Sequence, residues 1–419
     1  MDDLLDDLQA RGLVHDTTDR DALRARLRQG PVALYHGIDP TADSLHVGNL
    51  IGLLMLRRFA DAGHRPVALA GGATGMVGDP SGRSDERNLL DEETLRANVA
   101  AIKSQIERVL GDDGRWELVD NLDWTASLGL LEFLREVGKH ATVNQMLARE
   151  SVRTRMDGDQ GISFTEFSYM LLQANDYRWL HEHRGVELQI GGSDQWGNIL
   201  SGVDLIRRSS GHAVHALCWP LMLGPDGTKL GKSTGGRIWL DPGRTSPYQF
   251  FQHWMATDDA LVEDRLARFS LLPVEAVRAA AADHATAPER REGQRLLARE
   301  VTTLVHGARE ADLAESVSAV LFGGSHFDEE TFAALGAEVP TTELPADQVR
   351  GRDLAELAAT TGLCASKSEA QRLVAQGGLY LNNERPGAHH VHDGDLRYGR
   401  YLLLRRGKAN YHLVVAVPS

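Results

Sequence analysis

The stretch Tyr35-His36-Gly37-Ile38-Asp39-Pro40-Thr41-Ala42-Asp43-Ser44-Leu45-His46-Val47-Gly48-Asn49 decides how the chain is read. Residues 31–38 form a short apolar run suited to a buried strand, Pro40 turns the chain, and a helical pattern covers 49–62. A strand that empties into a helix N-terminus sets unpaired backbone N–H groups and a partial positive charge at the strand end, where a phosphate would bind. Gly48, lacking a side chain, lets a nucleotide lie close to the backbone, and His46 falls in the same turn. This is phosphate-site geometry without a Walker sequence. Taken alone, His-x-Gly also fits a surface histidine beside a packing glycine.

The same alternation continues outward. Further strands are expected at 66–70, 116–119, 186–190 and 216–223, and helices at 94–110, 128–137, 164–174 and 196–207. Strands alternating with helices predict an α/β fold, a mostly parallel sheet covered on both faces, with ligands at the carboxyl ends of its strands. After residue 242 the character changes. Residues 243–322, rich in Ala, Leu, Arg and Glu, predict a helical domain; 323–350, mixing Gly, Pro, Thr and acidic residues, a linker; and 351–419 a small terminal domain.

Composition bounds the function. At 419 residues two to four domains are expected, and 42% hydrophobic with 25% charged residues is the balance of an ordinary folded protein. The formal charge is −14, but residues 351–419 carry +3 and the first 350 carry −17. A polyanion would therefore meet its positive patches near the end of the chain. Two cysteines, Cys218 and Cys364, exclude a disulfide framework and a four-thiolate zinc site, and fit a reducing cytoplasm. The acidic N-terminus is not a secretory signal, and no apolar run reaches the roughly 18 residues that span a bilayer.

Four more segments could carry chemistry. Gly227-Thr228-Lys229-Leu230-Gly231-Lys232-Ser233 sets two lysines three apart, able to neutralise moving phosphate charge but, alone, common in solvated turns. The glycine-dense run 71–83, containing Asp79 and Arg83 with Arg87 beyond it, would let backbone approach a ligand. Tyr169, Gln173 and Asp176 recur at i, i+4 and i+7 on one helix face, either solvated or the wall of a pocket that orients a small zwitterion. Residues 189–198 make another strand-to-helix passage, where Asp194 could accept from ribose hydroxyls, cap the next helix, or both. His181-Glu182-His183 and His389-His390-Val391-His392 lack further ligands, and neither G-x-S-x-G nor H-E-x-x-H occurs, so zinc and nucleophilic catalysis are poorly supported.

Together these residues resemble the class I aminoacyl-tRNA synthetases, and within them the bacterial tyrosine enzymes, over essentially the whole chain. His46-Val47-Gly48-Asn49 resembles the HIGH signature, and Lys229-Leu230-Gly231-Lys232-Ser233 the KMSKS loop, in the expected order. Asn49 departs from the final His of the first, and Leu230 from the Met of the second. Residues 78–82, 163–169 and 191–198 narrow the resemblance to the tyrosine enzymes. Residues 363–374 and 377–382 resemble a small RNA-binding fold shared with a ribosomal protein.

The resemblance implies a Rossmann-like parallel-sheet catalytic domain over 1–242, then the α-helical domain and a small α+β RNA-binding domain. It implies a cytoplasmic homodimer with Phe164 near the two-fold, and activation of L-tyrosine by ATP with Mg2+ followed by transfer to tRNA(Tyr). No resident metal site and no membrane partner are implied. Position by position, His46, Thr41, Lys229, Lys232 and Ser233 would bind the ATP phosphates, assisted by Arg83 and Arg87, while Gly48, Asn49, Gly192 and Asp194 would hold adenosine. Asp79, Tyr169 and Gln173 would take the amino group of tyrosine, Gln195 its carboxylate side, and Tyr35 with Asp176 its phenolic hydroxyl. Gly37 and Asp39 belong to the same pocket, with Asn121 supporting it. Lys367, Arg372 and Arg385 would grip tRNA. Three other readings compete: a tryptophan synthetase, a simpler H-x-G-H nucleotidyltransferase, and a non-catalytic RNA-binding or splicing factor on this scaffold. Tyr35 with Asp176 suits a phenol better than an indole, the nucleotidyltransferase leaves the later domains unexplained, and both lysines with His46 favour catalysis.

Overall fold

The computed structural model describes residues 3–81, 90–157, 161–222, 236–324, 328–386 and 390–418. They form two compact units, Met1–Ser246 with His253–Val305, and Pro247–Gln252 with His306–Ser419.

The first unit is built on a sheet of six strands, β1 Asp16–Thr17, β2 Ala33–Ile38, β3 Arg65–Ala70, β4 Glu117–Asp120, β5 Val186–Gly192 and β6 His215–Trp219, in the order β1-β6-β5-β2-β3-β4. All neighbours are parallel except β1, which pairs antiparallel with β6. The chain steps outward from β2 through β3 to β4, then resumes at β5 on the other side of β2. The winding direction therefore reverses between β2 and β5, and a crevice opens there beyond the carboxyl ends. The expected strand at 216–223 ends early, at Trp219, and β1, too short to carry a periodicity, was not anticipated.

Two helices set the walls of that crevice. Val47–Asp61 is apolar on nearly every side and is buried from Val47 to Ala60 at most positions. Its buried Arg58 donates to the carbonyl of Ser270 at 2.6 Å. Phe164–Arg184 continues ten residues past its expected end at 174. The polar run Asn175-Asp176 breaks the apolar pattern, yet both side chains are buried, and only Gly185, left-handed at φ 64°, stops the helix. Ser163 caps its start by accepting the Glu166 N–H at 3.2 Å.

The second unit holds four strands, β7 Thr341–Pro345, β8 Leu379–Leu381, β9 Tyr401–Arg406 and β10 Asn410–Val417, ordered β7-β10-β9-β8. Alternate residues of β9 and β10 face opposite ways. Leu402, Leu404, Val414 and Ala416 pack with Leu354 and Leu357, whereas Leu403, Leu413 and Val415 pack with Val317, Val320, Phe332 and Leu335. Two expectations change. The segment 323–350, read as a linker, contains the helix Glu329–Glu338 and the strand β7, which pairs parallel with β10. Its Pro and Thr content suggested a loop, but an edge strand tolerates proline. The helical stretch 243–322 is divided, because the apolar stripe of Ala308–Leu321 covers the second face of the terminal sheet.

Candidate active site

The crevice is a cavity of about 350 Å3 at the carboxyl ends of β2, β3, β5 and β6. Tyr35, Gly37, Asp39, Thr41, His46, Gly48, Asn49, Asp79, Tyr169, Gln173, Asp176, Gly192, Asp194 and Gln195 all line it. Arg83, Arg87, Lys229, Lys232 and Ser233 lie outside the described residues. The chain on either side of 223–235 borders the cavity, through Leu221 and Met222 before it and Arg237 after it.

At the inner end stands Asp176. Its Oδ2 accepts from Asn121 Nδ2 and its Oδ1 from Trp124 Nε1, both at 2.9 Å. Burial, resisted by those two donors, lifts its pKa to about 7. Tyr35 is fully buried and its hydroxyl has no partner among the described residues. Burial, and next the charge of Asp176, push its pKa well above the phenol range. The ring is held edge-on against Tyr177 at 5.4 Å. An unpaired buried hydroxyl costs about 1–3 kcal/mol, so a ligand that supplies its partner recovers that cost.

Hydrogen bonds run from this end to the opposite wall. Asn121 Oδ1 accepts the Ala73 N–H at 2.7 Å, and its Nδ2 also donates to Thr74 Oγ1 at 3.1 Å. Thr74 and the Tyr169 hydroxyl each donate to Asp39 at 3.0 Å. A Cβ on Gly71 would fall 2.5 Å from Thr74 Oγ1, so this glycine serves close packing around the pocket. Asp79 accepts from Gln195 Nε2 at 2.7 Å and from the Ser81 N–H at 2.9 Å, and Asn198 Nδ2 donates to Gln173 Oε1 at 3.1 Å. Carboxylates and amide oxygens thus converge on one side, an environment suited to an ammonium group.

The other side suits an anion. His46 caps the Val47–Asp61 helix; its Nδ1 accepts the Gly48 N–H at 3.0 Å, and Asn49 Oδ1 accepts the His46 N–H at 3.1 Å. The ring proton therefore sits on Nε2. Desolvation, then Arg237, lowers the pKa to about 4, so His46 is a neutral donor at pH 7. Val47 N–H donates to the Ile238 carbonyl at 3.0 Å and Leu240 N–H to that of Leu45 at 2.8 Å, which pins the chain leaving the 223–235 segment beside His46. Asp194 Oδ1 lies over Gly192, 2.8 Å from where a Cβ would stand.

Several contributors carried no sequence signal. Thr74 lies within the glycine-rich run without a role of its own; Trp124 and Arg237 stand in no assigned pattern, while His36, in the stretch 35–49, and Gln189 and Asn198, in 189–198, lie in quoted segments without a role. In the second unit, Lys367 is held by Glu356 at 3.0 Å, Arg372 is exposed, and Arg385 lies against Gly377. Both partners are exposed and screened by solvent, so a phosphate could displace the Glu356 carboxylate. Among the described residues, no group of three or more His, Cys, Asp or Glu could hold a metal ion, and no helix is long and apolar enough to cross a membrane.

The chain is similar to known proteins along essentially its whole length. The profile of the class I tRNA synthetases (W and Y) matches residues 27–323, and that of the tyrosine–tRNA ligase SYY-like C-terminal domain matches 331–414. The chain is 51% identical to a tyrosine–tRNA ligase of Opitutus terrae, covering 99% of this chain and 100% of that one. It is 49% identical to one of Kineococcus radiotolerans, covering 100% and 99%. The crystal structure of a C-terminally truncated mitochondrial tyrosyl-tRNA synthetase of Aspergillus nidulans is similar at a TM-score of 0.70 and 33% identity, over 77% of this chain and 95% of that one.

Proposed function

The chain belongs to the tyrosine–tRNA ligases of the class I tRNA synthetases, and from that premise we propose how its own residues carry the reaction. The enzyme joins L-tyrosine to ATP, forming tyrosyl-adenylate and pyrophosphate. It then passes the tyrosyl group to the terminal adenosine of tRNA(Tyr), releasing AMP.

The phenol enters the inner end of the cavity, where the Tyr35 hydroxyl donates to its oxygen and Asp176 accepts a hydrogen bond from its hydroxyl. Asp79, Tyr169 and Gln173 bind the ammonium group, within the pocket shaped by Gly37 and Asp39, and Gln195 orients the carboxylate. One carboxylate oxygen then attacks the α-phosphorus in line as the bond to the departing pyrophosphate breaks. Positioning and charge stabilisation suffice for this step. His46 donates through Nε2 to the phosphates, with Thr41 beside it; Gly48, Asn49, Gly192 and Asp194 hold adenosine. Lys229, Lys232, Arg83 and Arg87 neutralise the pyrophosphate in this reading, and the Ser233 hydroxyl donates to it. Mg2+ arrives with ATP, carried by its phosphates and water.

The observation that carries the amino-acid assignment is the buried, unpartnered Tyr35 hydroxyl beside Asp176. A ring without a hydroxyl would leave it unpaired. ATP–pyrophosphate exchange with each amino acid tests this: tyrosine supports exchange, and a signal with tryptophan alone overturns the assignment.

The tRNA-gripping role of Lys367, Arg372 and Arg385 rests on the basic character of the terminal unit. A homodimer is supported by large apolar side chains left exposed between residues 130 and 164, among them Leu130, Leu131 and Phe164, the last 80% exposed. Sedimentation at micromolar concentration checks it. A cytoplasmic setting agrees with two unpaired cysteines, both buried.

A further inference from the structure

The cavity is poor in positive charge for a site that receives a triphosphate. Four carboxylates line it, those of Asp39, Asp79, Asp176 and Asp194. Among the described residues that line it, Arg237 is the one arginine or lysine. Like charges a few ångströms apart repel, so a polyanion entering this cavity calls for a cation at the phosphate end.

The backbone fixes Arg237 there, next to His46. Val47 N–H donates to the Ile238 carbonyl, Leu240 N–H donates to that of Leu45, and His46 pairs antiparallel with Trp239. The Arg237 guanidinium lies over the Trp239 ring, 5.6 Å from its centroid, and the His46 imidazole stands edge-on to the same ring at 6.2 Å. A second guanidinium, that of Arg244, also lies over Trp239, at 4.7 Å, but it is ion-paired with Asp43. Arg237 has no hydrogen bond or ion pair among the described residues, and it is exposed, so its charge carries no burial cost. Its planar fork of N–H donors matches two phosphate oxygens at once.

We propose that Arg237 is a further catalytic residue, whose guanidinium grips the departing pyrophosphate of ATP beside His46. This rests on the assignment of ATP to the cavity made above. A carboxylate oxygen of tyrosine bonds to the α-phosphorus while the bond from that phosphorus to the bridging oxygen breaks. The electron pair leaves with the pyrophosphate, and Arg237 donates hydrogen bonds to the charge that grows there, keeping its own protons throughout.

The test is single-turnover chemistry on the full chain as parent, Arg237→Gln and Arg237→Lys, with the two steps of the reaction read apart. Given L-tyrosine and ATP with Mg2+, the Gln variant should form tyrosyl-adenylate about 10- to 100-fold more slowly than the parent, with the Lys variant between them. In the reverse direction its adenylate complex should bind pyrophosphate more weakly by a similar factor. Tyrosine binding in equilibrium dialysis should stay within about twofold of the parent. Transfer to tRNA(Tyr) from preformed adenylate, cleared of pyrophosphate by a pyrophosphatase, should run at the parent rate, because the group that Arg237 holds has gone. Adenylate formation by Arg237→Gln within about twofold of the parent overturns the inference. So does slowing of both steps in the same proportion, which a disturbance of the fold around His46 would give. A parent chain that forms no adenylate from ATP and tyrosine would instead remove the ATP assignment, and this inference with it.

Discussion

Replacing Gly52 by Ala tests whether His36 is fixed where the fold holds it. Gly52 lies inside the Val47–Asp61 helix, where alanine is ordinarily preferred to glycine by about 1 kcal/mol. Here the new Cβ would stand 2.6 Å from Cδ2 and 3.1 Å from Cε1 of His36, and closer still to Nε2. The imidazole has little room to withdraw, because its Nδ1 donates to the Ile190 carbonyl at 3.2 Å and its ring packs edge-on against Trp219 at 5.2 Å. Displacing it loses about 0.5–1.5 kcal/mol of hydrogen bonding. Overpacking adds about 1–3 kcal/mol. Set against the helix gain, the substitution should destabilise by roughly 0.5–3.5 kcal/mol. Urea unfolding followed by tryptophan fluorescence, on Gly52→Ala, His36→Ala and the double variant, measures this. The midpoint should fall for Gly52→Ala, and the two changes should couple by at least about 1 kcal/mol, because removing the imidazole removes the collision. A Gly52→Ala protein more stable than the parent, or strict additivity, would refute the reasoning.

Three further outcomes are expected. Tyr35→Phe should leave the ligand-free protein as stable as before or more so, since it deletes an unpaired hydroxyl, yet raise the KM for tyrosine about 2- to 13-fold with little change for phenylalanine; steady-state exchange and thermal melts check both halves. His46→Ala should slow adenylate formation in single-turnover experiments far more than it weakens tyrosine binding in equilibrium dialysis, and equal losses would contradict its phosphate role. Asp176, whose pKa rises from 3.8 to about 7 on folding, holds its proton longer in the folded state, so its stabilising contribution is complete below pH 3.8 and lost as pH rises through 7. His36 and His46, lowered to about 4, oppose it, contributing above pH 6.5 and losing that contribution as pH falls through 4. The melting temperature of ligand-free Asp176→Asn should therefore gain on the parent between pH 4 and 8, and a constant difference would contradict the raised pKa.

Much of this was legible in the residues themselves. The strand leading through Pro40 to the helix after His46 announces an α/β sheet, and the spacing of Tyr169, Gln173 and Asp176 puts three polar groups on one helix face. The full extent of that helix was not legible, because Asp176 and Asn175 interrupt the apolar pattern that marks it while being buried for another reason. Nor was the role of 323–350, where a proline-containing edge strand resembles a loop in composition.

Sequence alone therefore determined the local elements, the signature motifs and the residues that could meet a nucleotide, since each depends on spacings within a few turns of chain. Tertiary structure alone decided that Asn121 and Trp124 hold Asp176 and that Gln189 stands beside Tyr35. Those pairs lie tens of residues apart or more, and their meeting depends on the order in which parallel strands assemble. No local periodicity encodes that order; burial of the sheet on both faces, with its winding reversed between β2 and β5, does.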